Sequence, residues 1–412
     1  MQSTPDLSRL LNELETLASF SDAPAPAVTR VVFSAQDLAA RAYLHRLFSE
    51  APLELRTDAV GNTFARWVGG DSSLAPVATG SHTDAVPHSG RYDGTIGVLG
   101  GLEAIRALQR GGFHPRRSIE LLVFTSEEPT RFGIGCLGSR LLSGVLSPEG
   151  ARRLKDGDGR SLEEILRQAG FDKSLEDVRL ADKFYHGFVE LHIEQGPLLE
   201  RKGIPVGIVT AIAAPATLRV RIEGSGGHAG AVLMPERRDA FVAAAEIALA
   251  VESAAKATRS ADSVATTGVC NVFPGAVNSI PSRAVLEIDV RDIDLPRRDA
   301  MLSAIRAACD ATSAKRQVAV EIELINADAP AQASPLITQT LSASCRALGI
   351  EFMPMVSRAY HDSLFLSRIA PTGMIFIPCR NGVSHRPDEY ASPADINRGV
   401  QVLASALAQL AQ

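Results

Sequence analysis

Five residues able to bind a metal stand between positions 82 and 385, each at the end of a strand-like run or beside a helix start. They are His82 in Gly80-Ser81-His82-Thr83-Asp84, Asp93 in Arg91-Tyr92-Asp93-Gly94, and Glu128 in Ser126-Glu127-Glu128-Pro129. His192 in Glu190-Leu191-His192-Ile193-Glu194-Gln195-Gly196 and His385 in Gly382-Val383-Ser384-His385-Arg386-Pro387 complete the set. Polar chemistry placed repeatedly at the ends of apolar runs constrains the chain to an open α/β sheet, where ligand sites gather at the C-terminal ends of strands. Imidazole and carboxylate donors together suit Zn²⁺, Mn²⁺ or Co²⁺ better than Mg²⁺ or Ca²⁺, which prefer oxygen-only shells. Glu127, next to a ligand carboxylate, is placed to take a proton from a water activated there.

The runs themselves support a sheet. Residues 118–125 are largely apolar, as a buried strand should be, and deliver Glu127 and Glu128 at their end. Residues 76–80 predict a strand ending at the His82 loop, 188–193 one carrying His192, and 374–378 one preceding His385. Between them, 93–108 has helical apolar spacing, and Gly111-Gly112 stop it. Gly97, Gly100 and Gly101 inside that helix predict close packing against the sheet. No Gly-x-Gly-x-x-Gly follows a strand there, which excludes a dinucleotide fingerprint. The texture changes after residue 213. Residues 216–223 and 284–290 read as strands, and 237–253 and 296–312 as helices, predicting a small α+β insert. The expected domains are 1–213 with 328–412, and an inserted 214–327.

At 412 residues and 45% hydrophobic, the chain can bury two cores. A net charge of 42 − 47 = −5 without a basic stripe argues against nucleic acid and anionic membranes. No window approaches about 18 consecutive apolar residues, and the first ten residues carry no signal pattern, so a cytoplasmic chain is expected. Five cysteines, odd in number and without a Cys-x-x-Cys pair, fit reduced thiols.

The ordered set His-x-Asp, Asp-Gly, Glu-Glu, His-Ile-Glu-Gln-Gly, Gly-His-Ala-Gly (residues 227–230) and Ser-His resembles the M20 metallopeptidase superfamily, over roughly Gly80 to Leu403. Phe132-Gly133-Ile134-Gly135-Cys136-Leu137-Gly138-Ser139-Arg140 points to its amidase/hydantoinase/carbamoylase branch. The resemblance implies a two-domain α/β fold: a di-metal catalytic domain with a mixed sheet, plus an inserted α+β lid and dimerisation domain. It implies two divalent ions, Mn²⁺ or Zn²⁺ with Co²⁺ possible. His82, Asp93 and His192 would hold one ion, and Asp93, Glu128 and His385 the other. Asp84 would receive the ring N–H of His82. Glu127 would be the general base and His228 the oxyanion donor. Gln195, Asn278 and Arg291 would contact substrate, Arg291 by bidentate grip on a carboxylate. Tyr360 and His361 are added as substrate contacts, with packing as the alternative.

The implied reaction is hydrolysis of a ureido C–N bond, an EC 3.5.1-type amidohydrolase activity. The phrases at 209–215, 227–235 and 357–365 imply ureidoglycolate as substrate and a place in purine catabolism. An N-carbamoyl-L-amino acid or allantoate is the alternative, and a non-catalytic metal-binding relative is the alternative of a different class. A homodimer through the insert and a small-molecule partner are expected.

Overall fold

The structure, a computed structural model, describes residues 4–412. The chain divides into two compact units. The first runs to Thr210 and resumes in Ala333–Ser357 and His361–Gln412; the second holds Ala211–Gln332 and Arg358–Tyr360.

In the first unit, four parallel strands form the middle of a mixed sheet, in the order Thr372–Ile377, Gly187–Ile193, Val77–His82, Ile119–Phe124. Antiparallel Thr63–Trp67 and Glu54–Thr57 extend one side, and antiparallel Val206–Ile212 the other. Every residue of the four central strands is buried, because side chains on both faces meet apolar partners. Alternation sends Leu121, Val189 and Leu191 into one core and Leu122, Phe124 and Phe188 into the other. Each such side chain contributes about 1.5–3 kcal/mol of burial.

The first core is roofed by helices that include Thr95–Arg110 and Pro393–Leu410. Ser392 starts the latter by accepting from the Asp395 amide, with proline in the first turn. The glycines of Thr95–Arg110 do what their spacing predicts. A β-carbon at Gly97 would lie 2.5 Å from the Leu191 carbonyl oxygen, so helix and strand touch backbone to backbone. That approach sets the helix start, and Asp93 before it, against the His192 strand.

The second unit is a four-stranded antiparallel sheet in the order Val264–Phe273, Arg283–Asp292, Ala214–Glu223, Ala319–Ala327. Helices Ala240–Ala257 and Leu295–Arg316 cover one face over Leu218, Val220, Leu286 and Ile288. On the other face Arg219 pairs with Glu287 at 2.8 Å and Arg221 with Glu323 at 2.9 Å. The expected strand-helix-strand-helix insert therefore lacks two strands that are present. Val264–Phe273 and Ala319–Ala327 form the sheet's edges; the first carries too much exposed polar surface to show an apolar alternation, whereas the second alternates Val320, Ile322 and Leu324 with Glu321 and Glu323.

All five cysteines are free thiols. Among the described residues no helix is long and apolar enough to cross a membrane.

Candidate metal centre

The four parallel strands aim their C-terminal ends at one point. His82 is the last residue of its strand, and His192 the penultimate residue of the adjacent one. Glu127 and Glu128 follow Ile119–Phe124, and His385 lies beyond Thr372–Ile377. Asp93, just ahead of the glycine-rich helix, sits among them. Its Oδ1 is 3.1 Å from His192 Nε2 and 3.7 Å from His82 Nε2. Its Oδ2 is 3.0 Å from His385 Nε2, which is also 3.2 Å from Glu128 Oε1. His82, Asp93 and His192 thus form one group with donor atoms within 4.8 Å of one another, and Asp93, Glu128 and His385 a second. Asp93 belongs to both.

Hydrogen bonding fixes how two of the rings face that carboxylate. His82 Nδ1 lies 3.0 Å from the Asp84 carbonyl oxygen, and His192 Nδ1 lies 2.9 Å from that of Ile193. A carbonyl only accepts, so each Nδ1 carries the proton and each neutral ring turns a lone pair on Nε2 toward Asp93. The Gly94 amide, donating to His192 Nε2 at 3.2 Å, agrees with this. Lone pairs facing a buried carboxylate repel unless a cation lies between them. The residues present therefore fit divalent metal, and the nitrogen-plus-carboxylate donor set favours borderline ions over Mg²⁺ or Ca²⁺.

Titration behaviour shows the same demand for positive charge. Burial alone would raise the Asp93 carboxyl, yet with a proton on each Nε2 standing where a cation would, His192, His385 and His82 hold it well below the usual carboxylate range. Hydrogen bonds to Asp93 and Glu128 push the His385 imidazole up to about 11. Burial raises the Glu127 carboxyl well above its ordinary value; His82 opposes the shift, while Glu128, Asp362 and Asp84 reinforce it. A third grouping, Glu190, His192 and His361, is also close-set. Its donors are already occupied. Ser81 and Ser363 donate to Glu190 at 2.7 and 2.6 Å, and His361 Nε2 bonds Ser357 Oγ at 2.9 Å.

A family profile described as Peptidase family M20/M25/M40 matches residues 78–409, a span that contains every donor above. The chain belongs to this family. It is 52% identical to a ureidoglycolate hydrolase from Arabidopsis thaliana, over 98% of this chain and 87% of that one. It is 37% identical to an N-carbamoyl-L-amino acid amidohydrolase from Geobacillus stearothermophilus, over 98% of both. A crystal structure of AtUAH in complex with glyoxylate superposes with a TM-score of 0.88 at 51% identity, covering 99% of this chain and 98% of that one.

The remaining expected residues of this M20 chain fall differently. Asp84 departs from its expected task. The His82 ring N–H reaches the Asp84 backbone oxygen, and the carboxylate oxygen is 3.6 Å away. That carboxylate instead accepts the amides of Glu127 at 3.2 Å and Glu128 at 3.0 Å, pinning the backbone of base and ligand together. Gln195 was expected on substrate; its amide nitrogen donates to Asp93 Oδ2 at 2.9 Å, and its amide oxygen is buried without a partner. His361 is buried, with its ring centroid 4.6 Å from that of His192. The Tyr360 hydroxyl donates to Asp328 within the second unit.

His228, Asn278 and Arg291 belong to the second unit. A two-residue strand pairing sets His228 against Ser279, next to exposed Asn278. Gly230 N–H donates to His228 Nδ1 at 3.1 Å, which leaves the exposed ring's proton on Nε2 as a free donor. Arg291 turns its fork on Asp289, at 2.7 and 3.3 Å, and donates to the Arg358 carbonyl at 2.8 Å.

Several supporting residues escaped the sequence reading. Glu389 accepts the Tyr92 and Asp93 amides at 2.8 and 3.1 Å, and Ser384 bonds both Asp93 and Glu389. Fully buried Arg30 donates to the Thr83 carbonyl at 2.6 Å, fixing the backbone between His82 and Asp84; burial lowers its guanidinium to about 10, still charged. Ser126, Cys136, Gln195 and His385 all hold left-handed φ near the site, a conformation that collects at functional centres. Nothing in local composition marks Glu389 or Arg30, since their tasks depend on partners far away in sequence.

Proposed function

We propose that this chain is a metal-dependent amidohydrolase that cleaves the ureido C–N bond of ureidoglycolate, leading to glyoxylate, ammonia and carbon dioxide. The observation that carries the chemistry is the buried Glu127 carboxyl beside two donor groups that share Asp93. The substrate follows from the likeness to the Arabidopsis ureidoglycolate hydrolase.

Residues His82, Asp93 and His192 would hold one divalent ion and Asp93, Glu128 and His385 a second, with Mn²⁺ or Zn²⁺ suiting the donors and Co²⁺ possible. Such a pair would supply Lewis acidity, polarising a carbonyl and lowering the pKa of a water toward neutrality. Glu127 accepts the proton as water attacks the ureido carbonyl carbon, and returns it to the leaving nitrogen as the C–N bond breaks. Asp84 keeps Glu127 in step with Glu128 through their adjacent amides. Gln195 and Ser384 restrain Asp93. His228, with its Nε2–H free, is assigned to the oxyanion, and Asn278 and Arg291 to substrate binding. Arg291 must exchange Asp289 for the substrate carboxylate, so Arg291→Ala raises KM with kcat largely kept; an unchanged KM removes Arg291 from this role.

A homodimer through the second unit is part of the same reading. Helix Ala240–Ala257 leaves Phe241 and Leu249 exposed, and Val264–Phe273 is an open sheet edge. Both are surfaces that a second copy would cover. The free thiols suit a reducing compartment, which supports a cytoplasmic location.

The deciding experiment measures ammonia release from ureidoglycolate, allantoate and N-carbamoyl-L-alanine after Mn²⁺ reconstitution, with a chelated control. Metal-dependent turnover strongest on ureidoglycolate is expected. Preference for another compound would overturn the substrate and keep the chemistry, and no turnover on any would overturn both.

A further inference from the structure

The segment between Glu127 and Cys136 closes on itself. The Cys136 amide donates to the Glu127 carbonyl at 2.8 Å, and Leu137 and Gly138 donate to Ser126 and Thr125, each at 2.9 Å. This closure brings Cys136 Sγ to 3.3 Å from Glu127 Oε1. Cys136 is fully buried and sits at φ 56°, ψ 37°, the left-handed region where a residue bearing a β-carbon is uncommon. Glycine would take that backbone conformation at lower cost. What glycine would lose is the thiol.

Among the described residues, that thiol is the one side-chain hydrogen-bond donor recorded on the Glu127 carboxylate. The other oxygen, Oε2, faces His82 Nε2 at 3.8 Å, beyond hydrogen-bond reach. The terminal torsion of a glutamate is soft, so an untethered carboxylate would swing through many orientations.

We propose that Cys136 is a positioning residue for Glu127, its S–H donating to Oε1 so that Oε2 stays turned toward His82. The inference rests on the reading of Glu127 as general base. A thiol is a weak donor, so it sets the direction of the carboxylate while taking little of its basicity. A hydroxyl would hold as firmly, and a methyl not at all. Burial, with the charge of Glu127, pushes the thiol well above its ordinary value, which keeps the proton on sulfur at neutral pH.

The test uses the Mn²⁺-loaded enzyme. Cys136→Ala is expected to lower kcat by several-fold to about tenfold, the scale of one hydrogen bond from a weak donor, with KM within about twofold. Cys136→Ser is expected to recover most of that loss. A purely structural cysteine would not give this split. Infrared spectra supply an arm that needs no substrate. The Cys136 S–H stretching band, assigned by its disappearance in Cys136→Ser, should move to the higher frequency of an unbonded thiol in Glu127→Ala. An unchanged kcat in Cys136→Ala, equal losses in the alanine and serine variants, or a band unmoved by Glu127→Ala would each overturn the inference. Because the spectra do not depend on turnover, a wrong substrate and a wrong role for Cys136 are told apart.

Discussion

Asp93 faces two imidazole lone pairs, and its other oxygen meets a third ring and two neutral donors. Such a carboxylate tolerates little displacement of its neighbours. Gly94 shows how little: it sits at φ 65°, and a β-carbon there would lie 2.4 Å from His82 Nε2. Gly94→Ala should therefore drive His82 from its place, on top of about 1–2 kcal/mol for the left-handed backbone. The expected outcome is a folded protein by circular dichroism with metal affinity reduced about 10- to 100-fold, the scale for disturbed ligand orientation. Full metal content by elemental analysis at wild-type free-ion concentration would refute it. Glu127→Gln tests the adjacent group in the opposite sense. The amide keeps the shape and loses the basic oxygen, so metal content should hold while turnover falls by about 10²-fold or more. Near-normal turnover would take the base role from Glu127.

At the scale of elements, the turn between Glu54–Thr57 and Thr63–Trp67 shows how a distant loop is tied to the strand that carries the base. Asp58 accepts the amides of Val60 and Asn62 and the Asn62 side chain, and Asn62 Oδ1 in turn accepts the Thr125 amide at 2.9 Å. Burial raises the Asp58 carboxyl to about 6 against those hydrogen bonds. The native state then holds this proton more tightly than the unfolded chain, whose carboxyl titrates near about 3.9. Stability from this group is therefore highest below about pH 4, falls as pH rises to about 6, and is level above. Asp58→Asn should remove that part of the slope, seen as a flatter dependence of the urea midpoint on pH between about 4 and 6; an identical slope would show that Asp58 titrates normally.

The same scale shows what was legible in the sequence. Central strands such as Ile119–Phe124 announce themselves because both faces are buried and every residue is apolar or shielded. Val264–Phe273 does not, because Thr266, Thr267, Gly268 and Asn271 interrupt any period-two pattern on an edge. The donors His82, Asp93, Glu128, His192 and His385 could be read from their local phrases. Asp84 was read as a partner of the His82 ring, although its carboxylate serves the amides at Glu127 and Glu128, more than forty residues on. Local spacing constrains which side chains lie near each other, whereas the acceptor chosen by a carboxylate depends on backbone that arrives from elsewhere.

At the scale of the molecule, every proposed metal donor lies in the first unit, and none in the second. Removing metal should therefore destabilise one unit selectively. With metal at about 100 times its dissociation constant, binding contributes about 2.7 kcal/mol per site. Hydrogen exchange after chelation should rise at the ends of Val77–His82 and Gly187–Ile193 and stay unchanged in the core strands Ala214–Glu223 and Arg283–Asp292. Uniform change across both units would contradict this division. The proposed dimer is tested by Leu249→Glu, which places a charge on an exposed apolar position of the helix Ala240–Ala257. Light scattering should show a shift toward monomer, and an unchanged mass would move the contact elsewhere.

The strand Thr372–Ile377 lies between Gly187–Ile193 and Val206–Ile212, both of which precede it by far in the chain. A ribosome releases the chain from its N-terminus, so both flanking strands emerge long before the piece that joins them. The whole second unit is synthesised during that wait. Until the late strand arrives, the Gly187–Ile193 edge is an open template that any extended segment could occupy. His385 appears later still, so the nascent chain carries a gap in its sheet and an incomplete set of donors together, and one insertion event closes both.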